Sequence, residues 1–577
     1  MFTYAHAGAQ DAAGLLAPVG GGYADVYPGI VAAYLERAQG DAIKLVVLPT
    51  TYSSNAVSIT AAEREANLRD AERRRFELEE ACKRAAPKTM HCTVTIAPIF
   101  TRQDAQDPDI LKLFSADVNG VFVLGGDQAV AMAALANTPA EAALAAIYAR
   151  GGVIAGTSAG GALQSRAMIA DYSPNVAAGN ALTRNAAELW NLDDQRGLNV
   201  GVTGAVLDQH FFQRGRMGRL LSTVLRPDAP PIGVGVDAYT GVRIEAGHIL
   251  TDVFGLYTVA VLDAATYGAA DTVAYRGESA LISARNVLVH LLAPGNFAYD
   301  IATHTPSLAP PPPAPTHTLD ALTLPVGAGP LFLTGGLATD SPVWSHFVDA
   351  TTASDDPLLI VAAGFANSRP AQRAADKLGK QLGGDFAVKV LDSKRDTPLT
   401  LDGAYRGIVV LARDQGLLQP VRLTAIADAW RAGTPLLLDG AAAALAGAEF
   451  SAHGPTPEDA EAAEIATQRA FLAGRTVISP ALSLLDIAVE PRVLADNRWG
   501  RLFSLGYHHP DRTAFGIADN AALIITADGA TVAGNNVVVS LDLSSATLAR
   551  GDNQAFVIAN GVLDVFAPGD VLLPTPE

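Results

Sequence analysis

A serine hydroxyl attacks a carbonyl only when a base can take its proton and fixed donors can hold the oxyanion that forms. Ser158 lies in Gly156-Thr157-Ser158-Ala159-Gly160, directly after the apolar run Val153-Ile154-Ala155. Gly-x-Ser-x-Gly between a strand and a helix puts the hydroxyl at the carboxyl end of the sheet, beside a helix N-terminus. A glycine-rich turn whose serine only caps the helix has the same composition, so the reading depends on partners. His210 is the best base. It follows Ser158 by 52 residues, in Asp208-Gln209-His210-Phe211, at the expected end of the strand Asn199–Leu207. Strand ends of an open parallel sheet converge on one edge, where such a pair can meet. An acid should orient the imidazole, and Asp237, after the apolar Ile232–Val236, is the first choice. The backbone N–H groups of Ala159 and of Gly126, in Gly125-Gly126-Asp127-Gln128, are the expected oxyanion donors.

Alternating apolar strands and helices position these residues. Strands are expected at Ala42–Pro49, His91–Ile99, Gly120–Leu124 and Val153–Ala155, with helices at Pro28–Arg37, Ala61–Ala85 and Pro139–Arg150. This alternation predicts a parallel sheet covered on both faces. Pro310–Pro313 and Pro315 form a proline-rich stretch, so 301–320 is read as a semi-rigid linker between domains 1–300 and 321–577. The second half repeats the first in order. GIVVLARDQ at Gly407–Gln415 parallels GVFVLGGDQ at Gly120–Gln128, and PLLLDGAAAAL at Pro435–Leu445 parallels VIAGTSAGGAL at Val153–Leu163. A tandem duplication is expected, in which Gly440 falls opposite Ser158 and Arg492 opposite His210. The second copy then reads as a non-catalytic partner, giving a monomeric chain that is an intramolecular pseudo-dimer.

The 577 residues are 49% hydrophobic and 17% charged, enough to bury large cores. A net charge of −18 argues against a nucleic-acid partner or an anionic membrane surface. Cys82 and Cys92 suggest neither a disulfide framework nor a zinc pattern, and unpaired thiols are expected. His508-His509 stand too isolated to read as metal ligands, and the sequence calls for no cofactor. The start of the chain lacks a basic region followed by a long apolar run. A cytoplasmic protein is expected, although a trimmed secreted form would look the same.

Gly-Gly-Asp-Gln at 125–128, GTSAGG at 156–161, DQHFFQRGRMGRL at 208–220 and GVGVD at 233–237 together resemble the cyanophycinase family of serine peptidases. The resemblance spans most of residues 14–290 and, more weakly, about 325–570. It implies two tandem flavodoxin-like, or class I glutamine-amidotransferase-like, α/β sandwich domains with mostly parallel sheets. It also implies hydrolysis of cyanophycin, a poly-aspartate carrying arginine on each side chain, to β-Asp-Arg dipeptides. A dipeptidase or isopeptidase acting on other Asp- or Arg-containing peptides is the alternative enzyme, and a non-catalytic cyanophycin-binding protein the alternative from another class. The resemblance makes Ser158 the nucleophile and His210 the base, and matches Gln128, Asp208, Gln209, Arg214, Arg216 and Arg219 to the family's substrate pocket. Guanidinium groups suit the substrate's carboxylates. The chain departs from the family at Ala238, where a glutamate is usual as the catalytic acid. Asp237 is the expected replacement and Asp171 the alternative.

Overall fold

The computed structural model describes residues 14–38, 40–313 and 319–573. The serine strand Val153–Thr157 is buried along its length and is central in the first outer sheet. Its neighbours Leu15–Val19 and Gly120–Val123 are both parallel to it, with Val19 beside Thr157 and Val123 beside Gly156. Ala42–Leu48 and His91–Ile96 continue the parallel set on one side. Thr240–Glu245 and Ile249–Gly255 extend it antiparallel on the other. Three adjacent parallel strands therefore end together, at Gly20-Gly21-Gly22, Gly125-Gly126 and Ser158.

The second half carries an outer sheet with the same strand order: Phe386–Val390, Leu358–Ala363, Gly407–Ala412, Leu436–Gly440, Leu331–Thr334, then antiparallel Ala521–Thr526 and Gly529–Gly534. A further sheet is shared by both halves. In the first half it holds Ala205–Asp208, Ile232–Val236, Val259–Asp263 and Leu281–Leu292. Leu281–Leu292 pairs antiparallel with Phe556–Phe566, beyond which lie Val538–Asp542, Ala514–Ile517 and Ala488–Pro491. The ladder is continuous across the junction, and one apolar core, from Val206 and Leu220 to Leu502 and Val539, spans it. Burial of these β-branched and leucine side chains is the main force that joins the halves.

Two expectations need correction. Cys82 and Cys92 are not free thiols but form a disulfide, with Cα atoms 6.0 Å apart. A turn, in which Met90 N–H donates to Pro87 O, folds the end of the helix Ala61–Ala85 back onto the strand His91–Ile96. The first half also continues past residue 300, because Tyr299–Asp300 and Thr305–Pro306 form a hairpin on the edge of the outer sheet. The proline run beyond it is tied down. Tyr267 Oη donates to Pro312 O at 2.7 Å, and Asn560 Nδ2 donates to Ala309 O and Pro310 O at 3.1 Å. Residues 314–318 of the expected linker lie outside the described residues. No single helix among the described residues is long and apolar enough to cross a membrane.

Candidate active site

Ser158 occupies a backbone conformation that side-chain-bearing residues rarely adopt, with φ 54° and ψ −119°. Such strain costs about 1–3 kcal/mol and persists only where surrounding contacts impose it. Here Ser158 N–H donates to Val19 O at 2.9 Å, and Ser158 O accepts from the N–H groups of Gly161 and Ala162. Gly156 is required by close packing: a β-carbon there would stand 2.2 Å from Gly160 O. Ala159 opens the short helix Ala159–Ala162, so its N–H has no acceptor within that helix. The Gly125-Gly126 turn abuts the serine; a β-carbon on Gly125 would lie 3.2 Å from Ser158 Cβ. Tyr23, which the sequence did not single out, accepts from Gly125 N–H at 3.4 Å.

His210 meets the serine. Its Nε2 is 3.0 Å from Ser158 Oγ, and Gln209 Oε1 is 3.3 Å from the same oxygen. The imidazole backbone is anchored by His210 N–H donating to Gly20 O at 2.8 Å. Desolvation, with the Arg214 and Arg216 charges adding to it, pushes the His210 pKa down to about 3. The ring is thus neutral at pH 7, and free to accept a proton.

Asp237 does not reach His210. It is fully buried; Oδ1 accepts from Phe212 N–H at 2.9 Å and Oδ2 from Thr258 Oγ1–H at 2.8 Å. It braces the loop behind the imidazole, and desolvation raises its pKa to about 7. Asp171 is exposed and accepts from its neighbour Tyr172 N–H. The Ala238 carbonyl accepts from Gln468 Nε2, on the second half, at 3.2 Å. The group against His210 Nδ1 is instead Gln213 Oε1, at 2.7 Å. Gln213 Nε2 donates in turn to Glu464, on the helix Ala460–Arg469 of the second half. Gln213 stands three residues past His210 in the quoted motif. Glu464 had no sequence signal, since 251 residues separate the two.

The expected pocket residues divide by burial. Asp208 and Arg219 form a buried bidentate ion pair, at 2.8 and 2.6 Å. Arg216 Nη1 donates to Gln209 O at 2.7 Å and lies 3.5 Å from Asp208. Gln128 is buried, its amide nitrogen donating to Ile169 O and Ala170 O. Arg214 is the cation of the set that faces solvent, with a side chain 46% exposed and 3.7 Å from Glu464.

The second half has a similar framework, with Gly440 and Arg492 where the first has Ser158 and His210. Glu490 pairs with Arg498 and Arg501 as Asp208 does with Arg216 and Arg219. Gln415 Nε2 donates to Ser451 O as Gln128 does to its strand. Arg492, at the position of His210, is held by Asp496 at 3.0 Å. His508 and His509 are not isolated. With Glu449 they bring ligand atoms within 4.8 Å of one another, on elements that carry no residue of the Ser158 site.

No family model matches the chain. It is 31% identical over 213 residues to a cyanophycinase of Synechococcus elongatus, covering 37% of this chain and 61% of that protein. The chain thus spans less than two thirds of that relative's length. It is 32% identical over 214 residues to a cyanophycinase of Geminocystis herdmanii, covering 37% of this chain and 72% of that protein. Among solved structures, a peptidase from an acI-B1 actinobacterium aligns at 19% identity and a TM-score of 0.33, over 44% of this chain and 91% of that one. Since the Geminocystis protein is matched at 32% identity over 72% of its length, this chain belongs to the cyanophycinase family.

Proposed function

We propose that the chain is a serine peptidase that cleaves the poly-aspartate backbone of cyanophycin and releases β-Asp-Arg dipeptides. One observation carries the reading: Ser158 Oγ, on a strained elbow, lies 3.0 Å from the Nε2 of a neutral His210. In the reaction, Ser158 Oγ bonds to the scissile carbonyl carbon while its proton passes to Nε2. The amide C–N bond then breaks, and the imidazolium returns that proton to the leaving amine. Water, deprotonated by the same ring, hydrolyses the resulting ester. The N–H groups of Ala159 and Gly126 are the proposed oxyanion donors. Arg214 is suited to a substrate carboxylate, and the exposed Asp127, next to the glycine turn, to a substrate guanidinium.

In this reading residues 14–306 form the catalytic unit. The second half is a duplicated, non-catalytic copy that takes the place of a partner subunit, supported by its strand order and its Gly440 and Arg492. Incubation with purified cyanophycin and mass analysis of the products tests the proposal. β-Asp-Arg is expected from the parent and not from Ser158→Ala. Intact polymer with the parent, or equal turnover by the variant, overturns it.

A further inference from the structure

We propose that Glu464, contributed by the second half, is a positioning residue for the Ser158–His210 pair, acting through Gln213. The inference rests on the serine-peptidase reading above. Three contacts define the chain of groups. Ser158 Oγ meets His210 Nε2 at 3.0 Å, His210 Nδ1 meets Gln213 Oε1 at 2.7 Å, and Gln213 Nε2 donates to Glu464 Oε2.

The chemistry of each group fixes the next. A side-chain amide can sit in either orientation, with its oxygen or its nitrogen toward the imidazole. An ionised carboxylate only accepts, so Glu464 selects the orientation that turns Nε2 toward itself. Gln213 Oε1 must then face Nδ1, and an amide oxygen also only accepts. The proton of the neutral ring is therefore placed on Nδ1, and the Nε2 lone pair is directed at the serine. The opposite amide orientation would put a donor on Nδ1, move the ring proton to Nε2 and leave Ser158 without a base. Glu464 is itself held from two sides, by Gln213 and by Arg214 Nε at 3.7 Å. Asn497 Nδ2, also from the second half, donates to Phe212 O at 2.7 Å and to Gln213 O at 3.3 Å, fixing the backbone of the loop. The second half thus completes a site in which no acid of the first half, among the described residues, meets the imidazole. In the second half, the position of Gln213 is taken by Ala495, where Arg492 replaces the histidine and no relay is needed.

The charged groups that face the imidazole are Arg214, Arg216 and Asp208, with Glu464 behind Gln213. Removing the Glu464 charge takes a stabilising anion from the imidazolium, and so moves the acid limb of Ser158 reactivity to lower pH. Moving that charge onto residue 213 moves the limb to higher pH.

The experiment follows the rate at which a fluorophosphonate probe labels Ser158 in the full-length chain, as a function of pH, with thermal melts as a folding control. Glu464→Gln and Glu464→Ala are expected to lower the rate by roughly 10-fold or more, part of the about 10²–10⁴-fold that a positioned base supplies. The exchange Q213E/E464Q, which puts a carboxylate directly on Nδ1, is expected to restore the rate and raise the acid limb. A parent chain not labelled at Ser158 would overturn the serine-peptidase reading itself. A labelled parent, with E464Q labelled equally fast and on the same pH profile, would overturn the role of Glu464 alone. Should E464A fail to fold, the exchange pair decides: no rescue and an unmoved acid limb would refute the relay.

Discussion

Ser158 and Gly440 hold the same backbone conformation, φ 54° and ψ −119° at the serine and φ 61° and ψ −127° at the glycine. The second half has the same elbow with a glycine in place of the serine, and a glycine holds that shape without strain. The residue facing each elbow differs as well. Gly125 leaves room for the serine, whereas Ala412 stands at the same strand position opposite Gly440.

This pairing predicts a stability difference between two inactive variants. Ser158→Ala and Ser158→Gly both lose the hydroxyl, but only glycine relieves the positive φ. Ser158→Gly is expected to be more stable than Ser158→Ala by about 1 kcal/mol, less any added flexibility of its unfolded chain. Gly125→Ala should destabilise the parent and cost less in the Ser158→Gly background. Urea unfolding of the parent and these four variants measures both differences, and equal midpoints for the two Ser158 variants would mean that the elbow carries no strain.

The buried cluster of Asp208 with Arg216 and Arg219 has a counterpart in the half that lacks Ser158 and His210, Glu490 with Arg498 and Arg501, which points to a framework role. Arg219→Ala would remove the bidentate partner of the buried Asp208 carboxylate and leave it Arg216 at 3.5 Å, at a cost of about 3 kcal/mol, the low end of the range for breaking a buried pair. Arg214→Ala, on an exposed side chain, should change stability little and raise KM for the polymer. Unfolding curves and steady-state kinetics on the two variants separate framework from pocket. A destabilised R214A beside an unaffected R219A would reverse the assignment.

The juxtaposition of Ser158 and His210 was legible because its signals are local. Glycines around Ser158 and a histidine just past a strand need only a few residues of context. The parallel strands were legible as unbroken apolar runs, and the matching strand order of the second half as a repeat of those runs. The acid was not legible, because its place is set by tertiary contacts. Asp237 sits at a strand end near the loop that bears His210, yet its carboxyl turns to Phe212 N–H and Thr258. The anion that does reach the relay, Glu464, comes from a helix in the other half, and short-range spacing carries no information about it. Burial also overrode residue type. Arg216 and Arg219 read as ligands for carboxylates, but burial pairs them with Asp208.

The buried Asp237 carboxyl predicts how stability depends on pH. Desolvation raises its pKa to about 7 from an ordinary 3.8, so the folded chain keeps a proton that the unfolded chain releases between those values. That group's contribution is fully present below about pH 4 and is lost as pH rises to about 7, at up to roughly 1.4 kcal/mol per unit. His210 and the buried His290, lowered to about 3 and about 4, act in the opposite sense: their contribution is lost as pH falls below 6.5. Asp237→Asn removes the first slope only. Its stability should rise more steeply with pH between about 4 and 6.5 than that of the parent, and its labelling by a fluorophosphonate should stay close to the parent rate. A large loss of labelling would return Asp237 to the role the sequence suggested.

Cys82 and Cys92 close a short loop between a helix end and a strand. Non-reducing mass analysis is expected to find both blocked to alkylation until the chain is reduced and unfolded. Reduction should lower stability by about 2–3 kcal/mol, the range for a loop of this length. Such a bond persists in an oxidising compartment. Two alkylatable thiols in the native chain would show that it does not form.

Phe212 tests whether the halves depend on each other at the site. Its ring stacks on Phe471 with centroids 4.0 Å apart and lies edge-on to Phe503, both from the second half. Its own N–H is held by Asp237 and its carbonyl by Asn497. It thus lies between His210 and Gln213 in sequence and between the two halves in space. Phe212→Ala opens a cavity in this junction, at a cost of about 3–5 kcal/mol. It also frees the loop that aligns Gln213 with both His210 and Glu464. A folded Phe212→Ala chain should therefore label more slowly at Ser158, and should lose the acid-limb shift that distinguishes E464Q from the parent, because the relay is already broken. Phe503→Ala opens the same junction but leaves Phe212 stacked on Phe471, and should destabilise the chain without altering the pH profile. If both variants lose only stability, the junction holds the halves together without shaping the site.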